Sequence, residues 1–164
     1  MRAGVVIVLA TATWGGEAPP HLLNFTFGER SAQLRKTLGG APNVVRGTGY
    51  RVLQYHGSRA HNAGRSCDGV FEWELYLDFA GTPQSLTWNA EKPVRLDKLF
   101  PRSHRRFLTN DAALGRPSVV LRELPGGRIL LASVVSAEQE TVQQVTLFRS
   151  GSLGRFLPWV AARL

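Results

Sequence analysis

The stretch from Val70 to Asn89 constrains the fold more than any other part of the chain, because its residues alternate with a period of two. Such alternation is typical of a strand with one buried and one solvated face. Ala80 to Pro83 supplies turn residues, after which the alternation resumes. We therefore predict an antiparallel hairpin over residues 71–89. Its predicted core residues are Phe71, Trp73, Leu75, Leu77, Phe79, Leu86 and Trp88.

A second hairpin is predicted over residues 118–135. Ser118–Leu124 and Arg128–Val135 are two apolar runs on either side of Pro125-Gly126-Gly127, and this arrangement indicates two strands joined by a tight turn. Thr141–Arg149 is expected to add an antiparallel strand beside them, and Tyr50–Tyr55 to form a further strand.

One short helix is predicted near the N-terminus. Ser31 can cap a helix that ends at Leu38, and Gly39-Gly40 would terminate it. Phe107–Leu114 is a candidate for one or two further helical turns. The predicted fold class is therefore α+β: a mostly antiparallel sheet of five to seven strands, with the short N-terminal helix Ser31–Leu38 packed on one face.

The first 18 residues are a candidate signal peptide. Met1-Arg2 precedes an apolar run of about ten residues, and small residues at Ala10 to Ala12 or Gly16 to Ala18 suit cleavage. The alternative is an ordinary buried strand. Residues 19–164 are long enough for one α+β domain, or for two hairpin-centred halves over 22–100 and 107–164. A signal peptide predicts a periplasmic or secreted protein; without it, the location would be the cytoplasm.

No catalytic, metal or cofactor site is predicted. His56, His61 and Cys67 lie in or beside one polar, glycine-rich loop over 57–69, but their spacing fits no coordination geometry. A nucleophilic Cys67 would also need an orienting group and an oxyanion site, and the sequence shows neither. A solvated loop is the preferred interpretation.

The predicted partner-binding residues are basic and aromatic. The net charge is +8, and its densest run is Pro101–Arg106. Arg102, Arg105 and Arg106 would attract an acidic protein surface or anionic lipid, while Phe156 and Trp159 would supply an apolar anchor. The alternatives are a solvated basic loop and a Trp159 that simply covers the core.

Residues 22–89 also show a family resemblance. Phe27–Pro42 resembles the opening "apolar-Gly, short helix, Leu-Gly-x-Pro" segment of small bacterial envelope proteins of the SmpA/OmlA (BamE-like) group, and of the repeats in secreted β-lactamase inhibitor proteins. Leu77–Gly81 resembles their "apolar-x-Phe-x-Gly" turn. The resemblance implies non-enzymatic protein binding by a helix–sheet surface, with anionic lipid contact in some members. The lipid-attachment cysteine of the envelope group is missing here.

Together these features predict a non-enzymatic, exported or periplasmic protein-binding module, either an envelope assembly factor or an inhibitor. The first alternative is a cytoplasmic immunity-type inhibitor of a toxin. The second is a basic nucleic-acid-binding domain. Nucleic acid is the less favoured partner, because the aromatic residues of the 71–89 hairpin alternate with acids that would repel phosphates.

Overall fold

An antiparallel sheet of eight strands dominates the computed structural model, which describes residues 20–28, 38, 40–55, 72–109, 118–133 and 141–164. The strands are β1 (Asn43–Gly47), β2 (Tyr50–Tyr55), β3 (Trp73–Asp78), β4 (Pro83–Arg95), β5 (Arg106–Thr109), β6 (Ser118–Leu124), β7 (Arg128–Ser133) and β8 (Thr141–Phe148). Their order across the sheet is β1-β2-β3-β4-β8-β7-β6-β5. Two four-stranded meanders, β1–β4 and β5–β8, are therefore joined where β4 pairs with β8.

The helices of the described residues are short and lie outside this sheet. They are α1 (Pro20–Asn24), α2 (Leu96–Leu99), α3 (Leu153–Phe156) and α4 (Pro158–Ala161), with one 3-10 turn at Arg102–His104. Each spans about one helical turn. Within the described ranges, no helix is long and apolar enough to cross a membrane.

The α+β prediction is therefore wrong, and the architecture is best described as all-β. The sheet has eight strands instead of five to seven. Of the predicted helix Ser31–Leu38, only Leu38 is described, and its side chain is buried. The expected helical turns at 107–114 are contradicted as far as Thr109, because Arg106–Thr109 is a strand.

The strand count was underestimated because β1 and β5 are outer strands. All five residues of β1 are exposed, so the strand has no apolar alternation to reveal it. The sequence of β5 continues a basic run, and its four residues, Arg106–Thr109, show no period-two alternation.

The hairpin of β3 and β4 is confirmed. Trp73 lies opposite Trp88 and Leu75 opposite Leu86, and all four side chains are buried. The prediction that Phe79 belongs to the core is wrong: it is 88% exposed, because β3 ends at Asp78 and Phe79 lies in the turn. Phe71 lies outside the described residues.

The second hairpin is also confirmed, as β6 and β7. β8 adds to β7 as expected, with Leu130 opposite Leu147. The other side of β8 pairs with β4, so that Leu147 also lies opposite Leu86. These three leucines are fully buried at the centre of the sheet.

Two arginines on β6 and β7 hold the short helices against one face of the sheet. The Arg128 Nη1 donates to the carbonyl oxygens of Leu23 and Phe25 at 3.1 and 2.9 Å, at the end of α1. The Arg122 Nη1 donates to the carbonyl oxygen of Leu99 at 3.1 Å, at the end of α2. The last carbonyls of a helix lack intrahelical partners and favour a cation. Part of the net positive charge is therefore structural.

The opposite face of the sheet has an apolar half and a polar half. On β6–β8 its side chains pack against α3 and α4, so the C-terminal segment folds back onto the sheet. A polar row runs across β1–β4 and reaches the first half of β8, through four side-chain hydrogen bonds of 2.8–3.3 Å. The row consists of Asn43, Gln54, Glu74, Asn89 and Gln144.

Candidate functional site

The predicted basic residues lie at the β5 edge of the sheet. Arg102 and His104 are exposed on the 3-10 turn, Arg105 is half-buried, and Arg106 is exposed as the first residue of β5. β5 pairs with β6 and is the last strand in the order, so these cations surround an outer strand.

The C-terminal segment reaches the same edge. The Arg106 Nη2 donates to the carbonyl oxygen of Arg163 at 3.0 Å, across 57 residues of chain. The guanidinium of Arg163 lies 5.5 Å from the centre of the Trp159 ring, within the range of a cation–π interaction. The structure thus brings Arg106 and Trp159 to one region of the molecule.

An exposed aromatic ring that the sequence did not single out lies at this edge. Phe107 is 50% exposed, and the guanidinium of Arg105 lies 5.2 Å from the centre of its ring. Since side chains alternate along a strand, Arg106 and Phe107 point to opposite faces of β5. Arg163 and Trp159 lie on the Arg106 face, and Phe107 lies on the other. We name the residues around both faces of this edge the arginine–aromatic cluster: Arg102, Arg105, Arg106, Phe107, Trp159 and Arg163. A strand assignment at Arg106–Thr109 would have predicted that Phe107 lies on the face opposite Arg106, at an outer strand.

Phe156 has a different environment from the rest of the predicted set. Its ring lies edge-on to Tyr76 at 4.8 Å and tilted against Phe148 at 5.5 Å between ring centres. It is half-buried beside the apolar patch under α3 and α4, which Trp159 also borders. Phe156 therefore connects the C-terminal segment to β3 and β8.

A carboxylate close in sequence to the cluster already has a cationic partner. Asp97 accepts hydrogen bonds from the Arg95 Nε and Nη2 at 3.2 and 3.0 Å. These bonds hold the pKa of the Asp97 carboxyl below its ordinary value. Asp97 therefore pairs with Arg95, which lies outside the arginine–aromatic cluster.

The sequence candidates for metal or thiol chemistry, His56, His61 and Cys67, lie outside the described residues. Among the residues that the structure does describe, no group of three or more histidine, cysteine or carboxylate side chains could hold a metal ion.

In comparisons with known proteins, no family model, no curated protein and no solved structure matches this chain.

Proposed function

We propose that the protein is a non-enzymatic protein-binding module, exported from the cytoplasm, that works as an envelope assembly factor or an inhibitor. The observation that carries the proposal is the arginine–aromatic cluster. Phe107, which is exposed, and Trp159, which is half-buried, each lie beside an arginine. Aromatic rings and arginines are enriched in interface hot spots, because both bury a large area and make directional contacts.

The partner surface that fits this cluster is acidic. Arg102 and Arg106 are exposed, whereas Phe107 offers an apolar area that a partner would desolvate. Exposed cations steer the encounter with an acidic surface, and the aromatic ring sets how long the complex lasts. An anionic lipid surface would use the same cations.

The first test separates these two roles. Proteins captured by the wild type from an envelope fraction would be identified and purified, and their binding kinetics measured at low and physiological salt, about 0.15 M. We expect Arg102→Glu/Arg106→Glu to slow association about tenfold at low salt. Phe107→Ala should instead raise the dissociation rate, with about a thirtyfold loss of affinity if the ring is a hot spot of 2 kcal/mol.

Arg149→Glu is the matched control, because Arg149 is an exposed arginine at the end of β8, away from β5. A partner bound equally well by all these variants would contradict the site. Binding of mixed RNA or DNA at low salt that depends on Arg102 and Arg106, with no protein captured, would replace the protein partner by nucleic acid.

The second test concerns location. The full gene with a C-terminal tag would be expressed in a bacterial host, the cells fractionated, and the mature N-terminus read by mass spectrometry. Cleavage after Ala12 or Ala18 with periplasmic recovery is expected. An intact Met1 in the cytoplasm would contradict export and favour the immunity-type inhibitor.

A further inference from the structure

Among the described residues, no strand pairs with the outer side of β1. β1 pairs with β2 and is the first strand in the order. All five of its residues are exposed, among them Val44 at 43% and Val45 at 41%. Natural sheets usually blunt such an edge, because its backbone groups can pair with another strand.

The register of the β1–β2 hairpin shows which backbone groups face outward. The strands are joined by the two-residue turn 48–49, so the closing pair Gly47 and Tyr50 exchanges hydrogen bonds. In an antiparallel ladder every second pair does so, and the next one is Val45 with Val52. The N–H and C=O groups of Val44 and Arg46 therefore point away from β2, towards the open edge.

The charge on this edge is of one sign. Arg46 lies directly opposite Arg51, and like charges in that position destabilise a strand pair. No hydrogen bond or ion pair joins either guanidinium to another residue in the described part of the chain. The carboxylates of the next strand, Glu74 and Asp78, lie on the opposite face, since Arg51 is level with Leu77.

We propose that β1 binds an extended, acidic segment of another protein as a ninth strand of the sheet. Two outward N–H groups and two outward C=O groups would hold its backbone. A carboxylate opposite Arg46 would relieve the repulsion from Arg51, and an apolar residue would lie beside Val44. This surface is at the opposite edge from the arginine–aromatic cluster, and the inference stands without the proposed function.

A second copy of the chain fits the same edge poorly. Antiparallel pairing of β1 with itself would bring two Arg46 and two Arg51 side chains to one face, and β1 and β2 carry no carboxylate to compensate them. Charge complementarity therefore favours the acidic segment.

The probe for the test is a labelled heptapeptide, Glu-Thr-Glu-Thr-Val-Thr-Glu, and its control is the same peptide with lysine for glutamate. We expect the acidic peptide to bind, to shift the backbone amide signals of Val44 and Arg46, and to bind at least about tenfold more tightly than the lysine peptide. Arg46→Glu should reverse this preference, without requiring any change of the backbone.

Val44→Pro removes an outward N–H and leaves the β1–β2 hydrogen bonds in place, because proline is tolerated at edge positions whose N–H faces solvent. We expect it to abolish peptide binding, while the matched variant Val44→Thr keeps the N–H and binds. The amide signals of β2 show directly whether the hairpin remains folded in each variant.

Three results would overturn the proposal. They are failure of the acidic peptide to bind at millimolar concentration, equal binding of the acidic and lysine peptides, and binding that survives Val44→Pro in a folded hairpin. A concentration-dependent dimer that Val44→Pro abolishes would assign the edge to a second copy instead.

Discussion

At the scale of single residues, Trp73 and Phe79 separate the buried end of the 71–89 hairpin from its exposed tip. Trp73 is 2% exposed and faces Trp88 at 6.4 Å between ring centres, whereas Phe79 is 88% exposed. Trp73→Ala should lower the free energy of unfolding by about 3–5 kcal/mol, since it leaves a large cavity. Phe79→Ala should change it by no more than about 0.5 kcal/mol. Denaturant unfolding of both variants measures the contrast, and equal effects would contradict the register.

The carboxylate of Asp78 stabilises the turn of this hairpin, and we expect that stabilisation to depend on pH. Its carboxylate accepts the Thr82 N–H at 2.9 Å and the Gln84 Nε2–H at 2.7 Å, and the bond from Thr82 is the main reason that its pKa lies below the ordinary value of 3.8. A lowered pKa means that the ionised form stabilises the fold above the ordinary value, and that this contribution disappears as the pH falls through the folded-state value.

Asp78→Asn should therefore destabilise the protein at neutral pH, and the difference from the wild type should shrink as the pH falls below 3.8. Denaturant unfolding of both proteins across this range measures the difference. A difference that stays constant with pH would show that the Asp78 charge does not act on the turn.

Gly47 lies directly against the ring of Tyr50, which leaves no room for a side chain. A Cβ atom added at this position would lie 2.2 Å from the Tyr50 Cζ, and Tyr50 stacks on Tyr76 at 5.2 Å between ring centres. We expect Gly47→Ala to displace Tyr50 from this stack at a cost of about 1 kcal/mol, and ring-current shifts of Tyr76 to report the loss. Gly28→Ala is the control, because a Cβ there meets no atom within 4 Å. Unchanged Tyr76 signals in Gly47→Ala would contradict the prediction.

At the scale of elements, the Arg128 hydrogen bonds explain how a one-turn helix remains on the sheet. A helix of five residues is too short to be stable alone, so α1 depends on burial of Leu22 and Phe25 and on these bonds. Arg128→Gln should make opening of α1 easier by about 1.5–3 kcal/mol, the value of hydrogen bonds to a charged group. Hydrogen exchange of the amides in 20–28 measures this change.

The matched control for Arg128 is Arg149→Gln, since Arg149 is exposed and its side chain donates no hydrogen bond to a helix end among the described residues. It should leave the exchange of 20–28 unchanged. Equal exchange in the two variants would show that α1 is held by apolar packing alone.

The hairpins were predictable and the outer strands were not, for one physical reason. β3, β4, β6 and β7 each bury one or both faces, so each strand appears in the sequence as an apolar alternation or an apolar run. β1 buries neither face, and its strand conformation depends on pairing with β2. The helix predicted at Ser31–Leu38 lies outside the described residues except for Leu38, so it stays a prediction.

The candidate site was predictable only in part. The density of arginines at 102–106 is visible in the sequence, but the contact of Arg106 with Arg163 spans 57 residues and depends on the tertiary fold. Likewise, nothing in the sequence separates Arg122 and Arg128, which hold helix ends, from arginines that a partner would contact. Net charge therefore overstates the charge available for binding.

At the scale of the whole molecule, the seam between β4 and β8 decides whether the two meanders are one cooperative unit. Thr87 and Thr146 share a hydrogen bond of 3.0 Å across it, and Leu86 lies opposite Leu147. One cluster of buried apolar residues extends from Trp73 in the first meander to Val120 in the second. Neither meander can bury its part of this cluster alone, so we predict that both unfold together.

Leu147→Ala tests this prediction, because Leu147 is fully buried at the seam. It lies between Leu86 of the first meander and Leu130 of the second. The cavity should cost about 2–5 kcal/mol. If the seam couples the meanders, native-state hydrogen exchange should show the same loss for amides of β3 and of β6, since both exchange through one global opening. Val44→Ala, at the exposed β1 edge, should leave both unchanged. A loss confined to β6–β8 would mean that the meanders open separately, and that the sheet consists of two independently stable halves.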